Sequence, residues 1–218
     1  MIHWRPLAGE DVVMYPSDGF RPVDEMTGLP PIGRVRAVLD IEKGANTWVE
    51  TALKPVTTPS GVIAYPALGR HRSTALQTRY RLRFDADFYR PWYRRDSDGI
   101  VFIVSSYNNT TPPNPLPNGP SDVMLQPAVN YPFQSHIPVL RGVVKDGASD
   151  APVADVVVAE SNREKVLTDE NGSFGLPLRW IKENVPAPID ATDHRTGRTQ
   201  NIVVTLPASL GQCQTIVL

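Results

Sequence analysis

The sequence predicts an all-β protein with very little helix. In the segment 79–88, apolar residues occupy every even position and charged residues every odd position. A β-strand with this alternation buries one face and exposes the other. The chain also contains 22 prolines among 218 residues, about twice the usual share. Together with glycines they separate the short apolar runs, as strands joined by tight turns require.

Most of the chain divides into short strand candidates. The segment 34–41 alternates like 79–88 and would turn Val35, Ala37, Leu39 and Ile41 inward. Further strands are predicted at 61–65, 100–105, 122–126, 139–145, 154–160, 165–168, 173–177, 189–193, 201–206 and 214–218. Only 178–185 could hold a helical turn, and Pro186 would end that turn.

The order of these segments repeats along the chain and predicts two domains. A proline-led turn and a glycine turn precede strands at Pro31 and Gly61, and again at Pro152 and Gly172. We expect two tandem antiparallel β-sandwiches of immunoglobulin-like or transthyretin-like type. They would span 10–130 and 136–218, after an N-terminal tail at 1–9, with a long proline-rich loop at 108–121 in the first.

Composition argues against several classes of function. Lys and Arg number 22 and Asp and Glu 23, so the chain lacks the cationic surplus that nucleic-acid binding needs. No apolar run is long enough for a membrane helix, and the first residues lack a signal-peptide layout. We therefore expect no nucleic-acid partner and no membrane partner. The single cysteine, Cys213, precedes an apolar run and is expected to be a buried structural thiol.

The sequence contains none of the common catalytic, phosphate-binding or zinc motifs, so we expect no enzyme activity, no cofactor and no metal. Two further segments carry residue types found in metal sites. Asp190, Thr192 and His194 would share one strand face, where they could form a metal or proton-transfer site or simply a polar surface. The segment 169–172 contains part of a calcium-loop spacing but is more typical of a hairpin turn.

The densest group of aromatic and cationic residues lies at 88–95. This candidate interface, hereafter the aromatic–arginine cluster, consists of Phe88, Tyr89, Arg90, Trp92, Tyr93, Arg94 and Arg95. Rings interleaved with arginine can anchor a protein interface or stack against sugars and bases. The alternative is a strand end whose rings cap a sandwich while the arginines are solvated. Partner docking is the working hypothesis.

Three motifs in the second half resemble one known family. They are Arg-Gly-Val-Val at 141–144, Pro-Val-Ala-Asp-Val-Val-Val at 152–158 and Thr-Asp-Glu-Asn-Gly-Ser-Phe at 168–174. Over about 139–218 the chain is similar to the carboxypeptidase regulatory-like domain, a transthyretin-like (prealbumin-like) seven-stranded sandwich. The segment 176–180 departs from the tyrosine-rich strand usual there. The resemblance implies a non-catalytic accessory module for folding, docking or adhesion.

The whole chain also resembles small bacterial two-domain proteins associated with phage-tail-like and contractile injection loci. The motifs behind this resemblance lie at 27–31, 59–62, 88–91 and 131–133. It implies a non-catalytic structural or adaptor protein that contacts other proteins of a multi-subunit assembly, or copies of itself. We expect synthesis in the bacterial cytoplasm without a signal peptide, and a place in a virion or extracellular particle. The alternatives are a carbohydrate- or peptide-binding module and, third, an unrecognised enzyme.

Overall fold

The computed structural model describes residues 14–15, 18–71, 76–161 and 163–218, and over these the all-β prediction is confirmed. The described residues form sixteen strands. Their helical content is limited to two short 3-10 helices, Trp92–Arg95 and Ala208–Gly211. In this described part of the chain no helix has the length and apolar character needed to cross a membrane. The predicted tail at 1–9 lies outside the described residues.

The strands follow the predicted segments closely. The first half contains β1 (Phe20–Asp24), β2 (Val35–Glu42), β3 (Trp48–Glu50), β4 (Val56–Thr57), β5 (Ile63–Ala64), β6 (Gln77–Ala86), β7 (Tyr89–Pro91), β8 (Ile100–Ser105) and β9 (Ser121–Pro127). The second half contains β10 (Val139–Lys145), β11 (Val157–Glu160), β12 (Glu164–Leu167), β13 (Ser173–Pro177), β14 (Pro186–Asp193), β15 (Arg198–Thr205) and β16 (Gln214–Val217). The sequence had not predicted β1, β3, β4 and β7, which are five residues or shorter.

The strands form four sheets. In the first half the orders are β4-β5-β1-β9-β7 and β3-β2-β6-β8. In the second half they are β13-β10-β16 and β12-β11-β14-β15, in which β10 and β16 are parallel and the other pairs antiparallel.

The chain divides into two compact units that are each discontinuous in sequence. Unit 1 comprises residues 1–22, 37–83 and 99–122, and unit 2 comprises 23–36, 84–98 and 123–218. In this division the segments 23–36 and 84–98 group with the second half of the chain.

Unit 2 contains an apolar core to which both second-half sheets contribute. Leu140, Val144, Phe174 and Ile216 come from the three-stranded sheet, and Val158 comes from the four-stranded sheet with further residues of β12, β14 and β15. All five side chains are at most 1% exposed. Burial of these alternate positions is the main stabilising contribution to unit 2.

Strand β6 confirms the alternation that predicted it, whereas its neighbour β2 departs from the expected pattern. Tyr80, Leu82 and Phe84 of β6 are buried. In β2, Asp40 was expected to face solvent but is only 1% exposed. It is buried because Arg83 donates two hydrogen bonds to its carboxylate, at 2.7 and 2.8 Å, and Arg81 adds another.

These arginines also determine how Asp40 titrates. Burial by itself raises the pKa of Asp40, but hydrogen bonds and Coulombic attraction from Arg83 and Arg81 outweigh it and hold the pKa below the usual value. The guanidinium of Arg81 also stacks on the Trp48 ring, 5.0 Å from its centroid. The ionised carboxylate therefore organises one face of this sheet in unit 1.

The segment 178–185, where the sequence allowed a helical turn, contains turns and no helix. Its backbone makes tertiary hydrogen bonds: the Leu178 N–H donates to Pro138 and the Asn184 N–H to Leu206. One local prediction was wrong. Cys213 is exposed. It lies between the second 3-10 helix and β16, and burial in that strand falls on Ile216, three residues later.

The segment 169–172 is a turn, as expected, but it does not form a hairpin. It joins β12 to β13, which belong to different sheets. Asp169 accepts hydrogen bonds from the Asn171 and Ser173 N–H groups. Gly172 has a φ of +70°, and a Cβ there would lie 2.4 Å from the Val144 carbonyl oxygen. Only glycine fits this connection.

Replacement of Asp40 tests whether its contacts with Arg81 and Arg83 stabilise unit 1. We expect Asp40→Asn to lower the free energy of unfolding by about 3 kcal/mol, since it leaves two arginines without their shared buried charge. Because the folded pKa of Asp40 lies below its unfolded value, its stabilisation is complete above pH ~4 and is lost as pH falls through the folded value. Urea unfolding measured from pH 7 to pH 2.5 should therefore show a flatter acid loss in the variant than in the wild type.

Asp122→Asn is the matched control, because Asp122 pairs with Arg21 at the surface, where both side chains are nearly half exposed. Surface pairs contribute little, so this change should be much milder. Equal losses for the two variants would contradict the role given to Asp40.

Candidate functional site

The aromatic–arginine cluster begins in the turn at Phe88 and continues through β7 and the 3-10 helix Trp92–Arg95, and all of it belongs to unit 2. Pro91 ends β7 with a φ of −63° and precedes the helical turn. The chain therefore changes direction in the middle of the cluster, and its side chains point to several different partners within unit 2.

Two of the arginines converge on one buried carboxylate, that of Asp155. Arg90 donates from Nη2 to Asp155 at 2.6 Å, and Arg94 donates from Nε at 3.2 Å. A third arginine, Arg195, lies 3.7 Å from the same carboxylate. Asp155 is 7% exposed and has a φ of +60°, a conformation that aspartate tolerates better than most residues. The carboxylate thus compensates cations from two segments of unit 2.

Glu170 completes this network from the solvent side. Its carboxylate accepts a hydrogen bond from Arg90 Nη1 at 2.8 Å and lies 3.6 Å from Arg94 Nη2. Burial lowers the pKa of Arg90, but hydrogen bonds to Asp155 and Glu170 outweigh it and raise the pKa above the usual value. Burial likewise raises the pKa of Glu170, but Arg90 and Arg94 bring it below the usual value. Both pKa shifts favour the charged forms of Arg90 and Glu170.

Tyr89 points to a second buried carboxylate, that of Asp24. Its hydroxyl donates to Asp24 at 3.2 Å and accepts from the Ile32 N–H at 2.9 Å. Tyr131 donates to the same carboxylate at 2.9 Å and meets the Tyr89 ring edge-on. Burial is the main cause that raises the pKa of both tyrosines. Asp24 therefore joins segments 23–36, 84–98 and 123–131 inside unit 2.

The remaining members of the cluster are half-buried. The Trp92 ring contacts two cations, since the Arg95 guanidinium and the Lys165 ammonium lie 4.3 and 4.5 Å from its centroid. The Tyr93 hydroxyl accepts a hydrogen bond from the Phe84 N–H. The Phe88 ring packs on Gly33, where a Cβ would lie 2.8 Å from the ring.

The structure thus directs much of the cluster inward. Arg90 is 7% exposed and Tyr89 is 3% exposed, so these two side chains serve contacts within unit 2. The arginines are paired, in contrast to the alternative in which they were solvated. Whether the half-buried Trp92 and Arg94 also meet a partner stays a prediction.

Sequence reasoning found the cluster but missed its acidic partners. Asp155 is 65 residues from Arg90 and Glu170 is 80 residues away. Asp155 lies inside the motif at 152–158, to which the sequence analysis gave no charged partner. Nothing local in the sequence marks these acids, because the pairing depends on the fold.

A pocket of about 460 Å³ opens beside the cluster. Its wall includes Arg90, Arg94, Asn130, Asp85 and Glu170. This volume lies within the range of small-molecule sites, and the polar groups offer both donors and acceptors. Trp92 does not line the pocket, so an aromatic stacking platform from that ring is not part of it.

Asp190, Thr192 and His194 do not form a separate site. Asp190 accepts a hydrogen bond from the Asn201 amide, and the His194 ring lies 3.9 Å from Asp96. Across the residues that the structure describes, no group of three or more His, Cys, Asp or Glu side chains is arranged to hold a metal ion.

Unit 1 presents an exposed apolar surface along β8, which we call the β8 edge and define by Val101, Ile103 and Leu116. Their exposures are 45%, 55% and 63%. Strand β8 is the last strand of its sheet in the described part of the chain. Ile103 and Leu116 line a pocket of about 80 Å³ together with Pro113 and Pro115 of the proline-rich loop.

Replacement of Asp155 tests the arginine network. Asp155→Asn preserves the shape and the positive φ but removes the charge that Arg90 and Arg94 share. We expect a loss of about 3–5 kcal/mol in unfolding free energy, the range for breaking a buried ion pair. Denaturant unfolding measures this loss, and limited proteolysis should show faster cleavage within 84–98.

Glu170→Gln is the control, because Glu170 is largely exposed and Asp155 still pairs Arg90 after that change. It should cost far less stability and leave the proteolysis pattern unchanged. A wild-type melting curve for Asp155→Asn would show that the network does not stabilise unit 2.

The chain matches no family model, no curated protein and no solved structure. A functional proposal for it therefore rests on the geometry of its own residues.

Proposed function

We propose that this chain is a non-catalytic structural or adaptor protein that makes protein–protein contacts in a larger bacterial or phage-tail-like assembly. The β8 edge carries the proposal. Residues 100–105 read Ile-Val-Phe-Ile-Val-Ser, and two of the five apolar side chains are about half exposed. Such a strand at the end of a sheet offers both backbone hydrogen bonds and apolar contacts to another chain.

Just after β8, the backbone is hydrogen-bonded to another segment of unit 1. Beyond its C-terminal end, the Tyr107 N–H donates to Gly69 and the Tyr107 carbonyl accepts from His71, so another segment of unit 1 covers the chain there. Over Ile100–Ser105 the strand carries no lysine or proline, the residues that commonly prevent edge pairing. Among the described residues, an apolar strand at the end of its sheet that carries no lysine or proline supports a role in association.

The organisation of unit 2 supports an accessory module. Its second-half sheets have three and four strands and contribute to one apolar core. Seven strands around a shared core suit the carboxypeptidase regulatory-like sandwich that the motifs at 141–174 suggest. In this proposal unit 2 is the rigid module and the β8 edge of unit 1 is the contact surface.

A carbohydrate- or peptide-binding module is the second candidate, favoured by the 460 Å³ pocket beside Arg90 and Arg94. Its donors and acceptors suit hydroxyl or peptide groups. A glycan array and a ligand-induced melting shift would reveal such binding. Loss of that shift in Asn130→Ala, with the fold intact, would favour this candidate over the adaptor.

The variant Ile103→Lys tests the adaptor proposal. Placing a charge on the exposed face of β8 should prevent strand addition while changing the unfolding free energy by no more than about 0.5 kcal/mol, as is usual at exposed positions. In the bacterium that produces the chain, we expect the wild type to sediment with a high-mass particle fraction and Ile103→Lys to remain at low mass.

Leu29→Lys is the matched control, because Leu29 is 62% exposed but lies in a turn outside any strand. It should sediment like the wild type. A wild type that remains monomeric in the native lysate, or an Ile103→Lys variant that still enters the particle fraction, would overturn the proposal.

A further inference from the structure

Two asparagines in the chain are followed directly by glycine. Asn118 lies in the proline-rich loop of unit 1, and Asn171 lies in the turn before β13 of unit 2. The side-chain carbonyl carbon of an asparagine can be attacked by the backbone nitrogen of the next residue, and glycine permits the closest approach because it has no Cβ. The local sequence therefore favours this reaction equally at both sites, and any difference between them comes from the fold.

The reacting groups at Asn118 are accessible. Asn118 and Gly119 are both exposed and lie in the stretch 116–120, which has no regular secondary structure. The Asn118 N–H donates to the Asp18 carboxylate at 3.1 Å, but among the described residues neither the Asn118 side chain nor the Gly119 N–H has a hydrogen-bond partner. A Cβ at Gly119 would have no neighbour within 4 Å. Cγ of Asn118 and the nitrogen of Gly119 can therefore approach each other without breaking a hydrogen bond to a described residue.

The backbone after Asn171 is held in place. The Gly172 N–H donates to the Asp169 carbonyl oxygen at 3.0 Å, and the Gly172 carbonyl oxygen accepts from the Val144 N–H at 2.8 Å. Gly172 is buried, and it packs so closely on β10 that a Cβ would lie 2.4 Å from the Val144 carbonyl oxygen. The Gly172 nitrogen can attack Asn171 only if this turn opens, which costs free energy.

We propose that Asn118 is a site of spontaneous deamidation in the folded protein, with water as the co-reactant, and that the fold protects Asn171. A base removes the Gly119 amide proton, and the nitrogen forms a bond to Cγ of Asn118. The bond from Cγ to the side-chain nitrogen then breaks, and that nitrogen takes up a proton and leaves as ammonia. Water opens the resulting succinimide ring at either carbonyl and gives aspartate or isoaspartate. In sum, one amide and one water become one carboxylic acid and one ammonia, without oxidation or reduction.

The reaction changes the charge of the proline-rich loop. A carboxylate at position 118 adds a negative charge close to Asp18, which already accepts the N–H of that residue. Isoaspartate also lengthens the backbone by one carbon, because the chain then runs through the former side chain. Asn118 lines the 80 Å³ pocket together with Leu116 and Ile103. The modification would therefore accumulate with the age of the protein in the loop next to the β8 edge.

The test incubates the purified full chain from pH 7 to pH 9 and follows both sites by peptide mass spectrometry. Trypsin places them in different peptides, 96–141 and 166–179. Conversion at Asn118 should be at least about tenfold faster than at Asn171, since an opening cost of only about 1.4 kcal/mol lowers the reactive population tenfold. The rate should rise with pH, because the attacking nitrogen must lose its proton. In water enriched in oxygen-18, the product should carry one heavy oxygen at position 118.

Unfolding the chain separates the effect of the fold from the effect of local sequence. In guanidinium chloride both asparagines should react at similar rates, because neither glycine is then held by its neighbours. Incubation of the folded chain continues for the time in which half of Asn118 reacts in the denaturant.

The variant Gly119→Ala tests the route through the ring. Its Cβ should hinder the attack and slow conversion of Asn118 several-fold without lowering the melting temperature, because Gly119 is exposed and has open space around it. Gly211→Ala is the matched control, since Gly211 is likewise exposed, has no neighbour within 4 Å of a Cβ and does not follow an asparagine. Asn118 should react in this control as it does in the wild type.

Two outcomes would overturn the inference. If Asn118 stays intact in the folded chain over the time in which it reacts in denaturant, contacts in solution protect the loop. If Asn171 reacts as fast as Asn118 in the folded chain, the turn before β13 gives no protection. Neither outcome bears on strand addition at the β8 edge, so this inference and the proposed function fail independently.

Discussion

The stability of unit 2 depends on the need to compensate buried charge. Arg90 and Asp155 are each less than 10% exposed, and neither could be buried as an ion without the other. Their hydrogen bond joins the segment 84–98 to the loop before β11, and Arg94 and Arg195 reinforce the same junction. Asp24 provides a parallel case with neutral donors, since two tyrosine hydroxyls and a backbone N–H surround its carboxylate. Charged and polar pairs thus fix which segments belong together, and apolar burial supplies most of the free energy.

The same physics explains what the sequence could predict. Alternation along β6 and the apolar runs of β8, β10 and β13 are local patterns, and the strands lie where those patterns put them. Very short strands such as β4 carry too few residues to show any alternation. The burial of Asp40 was unpredictable for a different reason. It depends on arginines about 40 residues later that become neighbours only when β2 and β6 pair.

The candidate site shows the same limit. Composition identified the aromatic–arginine cluster correctly as an unusual concentration of rings and cations, but its partners Asp155, Glu170 and Asp24 are scattered over the chain. The β8 edge was visible as an apolar run, although its position at the end of a sheet required the topology.

The interleaved membership of the two units has a consequence for biosynthesis. Segments 23–36 and 84–98 leave the ribosome long before β16, yet they group with 123–218. Native contacts of such high sequence separation form slowly, and unit 2 cannot be completed until β16 has been translated. Arg90 therefore lacks its partners Asp155 and Glu170 until the segment 155–170 has been synthesised. Expression of 136–218 alone would likewise yield a fragment without Arg90, Tyr89 and their neighbours, and would not reproduce the native module.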